Sequence, residues 1–412
     1  MKMKKKCPVF YGWIIAASCF LLMAISIGIG YNIWSVFVIP ICRDLNISRQ
    51  LFSVFQALIS VGAIIGTLCA KRTTKRFGEK AVMCTAAAIL PLMLLVIAKF
   101  ASLAYLYLCG LIIGLFLPAL SFYMVAILIS NWFIKRRGTI TGLSFMGSGI
   151  GGMILLPLAE RWIRLFGWQQ ALVILAGITA LITIPICFVL IVVEPKQKHM
   201  FPDNDRFSSK TDYTEESPGK AYSKSEIDGT FWLFAIFIIG TNLLALVSTT
   251  TTPHLCDSGF SSASAARVHS YAMLFIAVMR TTNGFICDRI GVLHTMFLFA
   301  LLAPIVCVGL LFARALPIAP LLIAIGAGAA NSISVDIPLM VEYLFGKKSY
   351  RQLYGIATAL GDVTGVMTSL LCGTIYSKTG SYNPAYVSIL VIAVSGYLCM
   401  MMCVRIKRKG KH

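Results

Sequence analysis

Charge is what this sequence has least of. Only 13% of its 412 residues are charged, against about 25% in a typical soluble domain. Acids are scarcest, at 16. A water-soluble fold of this length needs far more polar surface, so a soluble enzyme or binding module is excluded. Thirteen cysteines are present, yet none forms a Cys-x-x-Cys pair or stands at metal-ligand spacing from a histidine. They read as apolar filler, although Cys42 and Cys256 fall near helix ends on one side and could pair. A P-loop is missing, so direct ATP drive is not expected. No nucleophile motif or ligand cluster supports catalysis, so neither an enzyme nor a cofactor is expected. Lipidation motifs are also missing.

Apolar residues dominate instead, at 58%, and the few charges are lopsided, with 36 basic residues and a net charge of +20. A nucleic-acid binder would place that excess on a soluble fold. A chain this apolar places it beside a lipid bilayer. Twelve runs approach the ~20 apolar residues that a spanning helix needs. They lie near 11–41, 50–70, 81–99, 102–130, 139–159, 168–193, 229–252, 263–286, 293–313, 317–344, 352–376 and 383–405. The first is too long for a signal-peptide core and reads as a retained helix. The 194–228 stretch mixes acids with six basic residues and many Ser and Thr. It cannot bury a core and reads as a solvated linker that divides the runs six and six. Sorted by loop, 27 basic residues fall on the side of the termini and linker and eight on the other, which predicts cytoplasmic termini. The expected fold is an all-α integral membrane protein in two six-helix halves, 1–193 and 229–412.

The halves repeat. At a constant offset of 213 residues, Arg76-Phe77-Gly78 falls on Arg289-Ile290-Gly291, Lys135 on Lys348 and Gly142 on Gly355. Parallel six-helix repeats belong to a transporter architecture with the substrate site between the halves. Gly284-Phe285-Ile286-Cys287-Asp288-Arg289-Ile290-Gly291 resembles the loop motif Gly-x-x-x-Asp-Arg-x-Gly of the major facilitator superfamily. Its first-half copy is degraded, with Lys71 and Lys75 standing where Gly and Asp belong. Tyr11-Gly12-Trp13 and the stretch Trp132 to Gly142, with Lys135-Arg136-Arg137 inside it, are similar to segments of the monocarboxylate transporters and oxalate/formate antiporters. Pro338, Glu342, Phe345-Gly346 and Tyr354-Gly355 resemble the helix 10–11 junction of the antiporter branch. The resemblance implies twelve helices, alternating access and a helix 8 arginine, Arg280, that engages a substrate carboxylate. One departure bears on substrate: the antiporters' helix 11 lysine is missing, and Ala359-Leu360-Gly361-Asp362 supplies an acid instead. One cation suits a monoanion better than oxalate.

Ionisable residues deep in a bilayer are costly and mark function by default. Three qualify: Arg280, Asp336 and Asp362. At a helical rise of about 1.5 Å per residue they sit roughly 12–16 Å inside their nearest terminus-side loops, at similar depth. Arg280 is expected to hold a carboxylate, with Asn283 one turn along as a further donor, and to pair with Asp336 or Asp362 when no substrate is bound. A static Arg–Asp clamp between helices is the plainer alternative. Asn32, Gln56, Tyr123, Asn242 and Asn331 are candidate cavity polar groups, though interhelical hydrogen bonds explain each as well. Asp288 is expected to latch the basic loop between helices 10 and 11. Lys135, Arg136 and Arg137 would be its first-half counterpart, which makes two unequal gates. Gly147-Ser148-Gly149-Ile150-Gly151-Gly152 matches Gly-x-Gly-x-x-Gly but follows no strand, so it reads as helix packing. His254 and His269 fall near the other side and are assigned no role.

The resulting expectation is a monomeric secondary transporter of a small organic anion, a monocarboxylate, by proton symport or anion exchange. An exporter of amphipathic cations held by Asp336 and Asp362 is the rival within transport. A transport-inactive sensor with a transporter fold is the rival outside it.

Overall fold

A computed structural model describes residues 10–198, 200–204 and 229–409. Twelve long helices build it: α1 (Gly12–Asp44), α2 (Arg49–Phe77), α3 (Glu79–Lys99), α4 (Leu103–Trp132), α5 (Arg137–Phe166), α6 (Trp168–Leu190), α7 (Gly229–Leu246), α8 (Ser262–Ile290), α9 (Val292–Leu311), α10 (Ala319–Gly346), α11 (347–379) and α12 (Asn383–Lys409). Among the described residues, ten are long and apolar enough to cross a membrane. The other two, α8 and α11, bear Arg280 and Asp362. The helices outrun the apolar runs because their polar ends stay helical: α2 continues through Lys71 to Phe77 and stops only at Gly78.

Helix ends reveal the duplication more plainly than the letters do. Ser48 caps α2 through a hydrogen bond from Leu51 N, and Ser261, also 213 residues on, caps α8 through one from Ser264 N. Each side-chain oxygen satisfies an N–H that a helix start leaves orphaned. The two motif loops share one backbone conformation. Gly78 lies at φ 83°, ψ 150° and Gly291 at φ 85°, ψ 155°, where a Cβ would be strained. The first motif has lost its acid but kept its turn.

Two other local features position side chains. A π-turn over Gly28–Asn32 interrupts α1, and such bulges swing side chains out of helical register. Gly346, at φ 79°, breaks the otherwise continuous path of α10 into α11. Within the first half, glycine lets helices touch backbone to backbone. A Cβ at Gly147 or Gly151 would sit 2.3 and 2.0 Å from carbonyls of Phe20 and Ala24 in α1, and one at Gly62 or Gly114 would collide with α4 or α2. The Gly-x-Gly-x-x-Gly match is therefore packing, as expected.

The 194–228 linker does not begin as loose chain. Trp132 Nε1 donates to Val192 O and Asn131 Nδ2 to Val193 O. Short 3₁₀ turns follow at Pro195–Lys198 and Pro202–Asn204, and the Asp203 carboxylate accepts the N–H groups of Ile134 and Lys135 at 2.9 and 2.7 Å. The expectation of a solvated tether fails for this opening stretch, because one acid caps the loop before α5. Residues 205–228 lie outside the described residues. The proposed Cys42–Cys256 link is not formed either; both thiols are free, and Cys42 Sγ donates to Ser48 O.

Candidate functional site

A cavity of about 430 Å³ lies between the halves. Helices α1, α2, α4, α7, α8, α10 and α11 all contribute to its wall. The π-turn delivers Gly30 and Tyr31 to it, and α2 presents Gln56 and Ser60. Among the described residues Arg280 is the one basic side chain on the wall, and Asp362 is the one acid.

Arg280 is 6% exposed and partly tied down. Its Nε donates to Asn331 O at 3.4 Å, and its Nη1 donates to Phe145 O at 3.1 Å and to Ser148 Oγ. The guanidinium lies 5.4 Å over the Phe122 ring. A guanidinium has five donors; among the described residues the two of Nη2 meet no acceptor. Neither acid pairs with it in this conformation, so the expected Arg–Asp pair and the static clamp are both absent.

Asp336 is fully buried and faces away from the cavity. Its Oδ2 accepts from Asn283 Nδ2 at 2.8 Å, while its Oδ1 and the Asn283 Oδ1 have no partner. Asn283 is thus committed to α10 and supplies no substrate donor, contrary to expectation. Asn32 also leaves the cavity: its Nδ2 donates to Ser148 O at 3.4 Å, and it packs against Gly152. Similar depth brought three ionisable residues together on paper; helix rotation separates them, with Asp362 facing the cavity and Asp336 facing α8.

Tyr123 forms the floor. Its ring stacks on Tyr354 at 5.9 Å, which stacks on Tyr350 at 5.7 Å. Tyr123 donates to Arg351 O and Tyr354 to Phe122 O, both at 3.2 Å, so the ladder ties α4 to α11 across the halves. Arg137 caps it, 5.1 Å over Tyr350 and paired with Glu342. Beyond Tyr123, toward the termini, a second cavity of about 440 Å³ is lined by Lys71, Arg72, Lys75 and Arg351. Thr67 and Tyr123 belong to both cavities.

The residues expected to form the gates divide in an unforeseen way. Asp288 does not reach the loop between α10 and α11. Its carboxylate caps the start of α5, accepting Gly138 N at 2.8 Å, Thr139 N at 2.7 Å and the Thr139 hydroxyl at 2.6 Å. A carboxylate at a helix N-terminus is favoured twice, by orphan donors and by the helix dipole, and this cap crosses the halves. Gly284 permits the approach: a Cβ there would stand 2.2 Å from Gly138 O. At the repeat-related seam between α2 and α11, on the same side of the molecule, the lost acid is replaced. Glu79 pairs with Arg351, and Lys71 Nζ donates to Gln352 at 2.6 Å. Arg136 is exposed, while Arg76 and Arg289 lie over their neighbours Phe77 and Phe285. Asp288→Asn keeps one acceptor of two and is expected to weaken the cap by about 1 kcal/mol. Trypsin should then cut at Arg136 or Arg137 about fivefold faster, the kinetic equivalent of that energy.

His254 needs no functional reading. Its Nε2 meets Leu310 O at 2.9 Å and its ring stands edge-on to Tyr386 at 5.0 Å. Burial lowers its pKa below the ordinary 6.5 and keeps it neutral.

The duplicated helices, the inter-half cavity and the positive-φ motif glycines agree with the family comparison. The model of the Major Facilitator Superfamily matches residues 19–360. This chain belongs to that superfamily. It is therefore a multi-pass membrane transporter and not an enzyme. It is similar to human monocarboxylate transporter 11, at 25% identity over 414 aligned positions that cover 94% of this chain and 81% of the relative. Human monocarboxylate transporter 12 is 23% identical, covering 91% and 77%. The structure of a proton:xylose symporter bound to 6-bromo-6-deoxy-D-glucose shares the fold at a TM-score of 0.77, with 13% identity covering 96% of this chain and 95% of the symporter.

Sequence reasoning missed Tyr31, Trp34, Ser60 and Phe122, which the cavity wall includes. Tyr31 had a faint signal in Gly28-Ile29-Gly30, glycines ahead of a mid-helix tyrosine. The others looked like ordinary helix surface.

Proposed function

We propose that this transporter moves a small organic carboxylate, with a monocarboxylate as the minimal substrate, by alternating access between two halves joined by residues 194–228. The observation that carries the reading is Arg280: a buried guanidinium on the cavity wall whose Nη2 group meets no acceptor among the described residues. Nη2 and a cavity-facing edge suit a carboxylate, for which guanidinium geometry is matched. The basic second cavity gives an approaching anion a favourable field. The names of the relatives support the same class. The excess of basic residues on the side of the termini supports cytoplasmic termini, and the chain acts as a monomer.

Asp336 is the coupling group in this reading, by proton symport or by proton-linked exchange. A proton on its Oδ1 lets the acid donate to Asn283 Oδ1, closing an acid–amide ring that satisfies both orphaned oxygens at once. Asp336→Asn reproduces that neutral ring. It is expected to retain exchange of labelled for unlabelled substrate while losing most of the pH dependence of net uptake; unchanged pH dependence would remove Asp336 from coupling.

The reading is tested by a thermal-shift screen of the purified protein against small carboxylates and lipophilic cations. Short monocarboxylates are expected to stabilise it. Stabilisation by lipophilic cations alone would replace the reading with cation export.

A further inference from the structure

Asp362 is left without a role by the carboxylate reading. It lines the same cavity as Arg280, on the α11 wall, yet among the described residues it has neither an ion pair nor a hydrogen bond. Its surroundings are rich in acceptors. Asn242 commits its Nδ2 to Ile238 O at 2.9 Å. That leaves Asn242 Oδ1 turned to the cavity wall, 3.3 Å from where a Cβ on Gly361 would stand. The Tyr31 hydroxyl, also on the wall, lies near Ser60 and Asp362. The cavity is thus polarised: donors gather at Arg280, and acceptors gather at Asp362 and Asn242.

We infer that the substrate is an aminocarboxylate, a small molecule whose carboxylate meets Arg280 and whose cationic N–H donors meet Asp362 and Asn242 Oδ1. This rests on the carboxylate reading and extends it to the other end of the ligand. An acid inside a membrane protein is tolerated when a cation faces it; among the described residues no cation pairs with Asp362, and the substrate supplies one. Arg280 and Asp362 both remain open to ligand because they do not neutralise each other. A wall of Tyr31, Trp34, Phe122 and Tyr354 lines the space between and suits either methylenes or the face of a cation. A simple monocarboxylate would satisfy Arg280 and leave Asp362 bare.

Binding of propanoate, alanine, 3-aminopropanoate, 4-aminobutanoate and propylamine to the purified protein tests this. At least one aminocarboxylate is expected to bind about tenfold or more tightly than propanoate, the scale of a charge-assisted hydrogen bond. Asp362→Asn should bring that ratio close to one, and Asp362→Glu should restore part of it. Elution as a single monomeric peak by each variant excludes misfolding as the cause. If propanoate binds in an Arg280-dependent way and no aminocarboxylate binds better, the inference falls while the carboxylate reading stands. An advantage that survives Asp362→Asn also sinks it. If no carboxylate of either kind binds, the underlying reading has failed instead.

Discussion

Arg280→Lys is expected to reduce carboxylate transport by at least about 100-fold, the kinetic equivalent of losing two charge-assisted hydrogen bonds. The charge is conserved, so the effect isolates geometry. Arginine here spends Nε and Nη1 on Asn331, Phe145 and Ser148, which leaves Nη2 for a ligand. A lysine ammonium must satisfy those same carbonyls with one nitrogen, leaving little for a ligand. Uptake into proteoliposomes and equilibrium binding should fall together, since the interaction is made in the ground state. The protein should fold, because the cation still finds Phe145 O and Ser148 Oγ. Near-normal uptake by this variant would reduce Arg280 to a structural strut.

Gly284→Val should have the next largest effect, and on conformation rather than affinity. The α5–α8 seam crosses the halves with glycine on both sides. A Cβ at Gly284 would stand 2.2 Å from Gly138 O, and one at Gly142 would stand 2.3 Å from Arg280 O. These are backbone atoms that cannot rotate away. Overpacking costs roughly 1–3 kcal/mol, borne by the conformation in which this seam is closed. The equilibrium should therefore move about 5- to 150-fold toward separation on the terminus side. Spin labels at the exposed positions Arg136 and Arg289, one in each half, would report a longer distance in the variant. An unchanged distance distribution would mean that the seam is not part of the closing surface.

The fold was legible because the membrane imposes it. Twelve apolar runs, one polar interruption and a 213-residue repeat leave little topological choice, and even the Ser48 and Ser261 caps obey the repeat. The site was legible only in part. Arg280 declared itself by the cost of burying a guanidinium. Asp336 and Asp362 declared themselves in the same way, but depth along a helix does not specify rotation about it. That is why Asn283 reads as a donor to substrate in the sequence and is bonded to Asp336 in the structure. Asp288 shows the same limit. Its motif suggests a latch to the loop between helices 10 and 11 of its own half, but the orphan N–H groups that it satisfies belong to α5 of the other half, which only the packed structure brings near. The ion pair of Glu79 with Arg351 was invisible because Glu79 stands just past the motif whose lost acid it replaces.

Counterflow tests the central claim most directly. Proteoliposomes preloaded with an unlabelled short-chain carboxylate, placed in a trace of the labelled compound, should accumulate label transiently above its equilibrium level. The Arg280→Lys protein, reconstituted at equal density, should show no overshoot. Failure of every small carboxylate to give counterflow, with an overshoot for a lipophilic cation instead, would contradict the account.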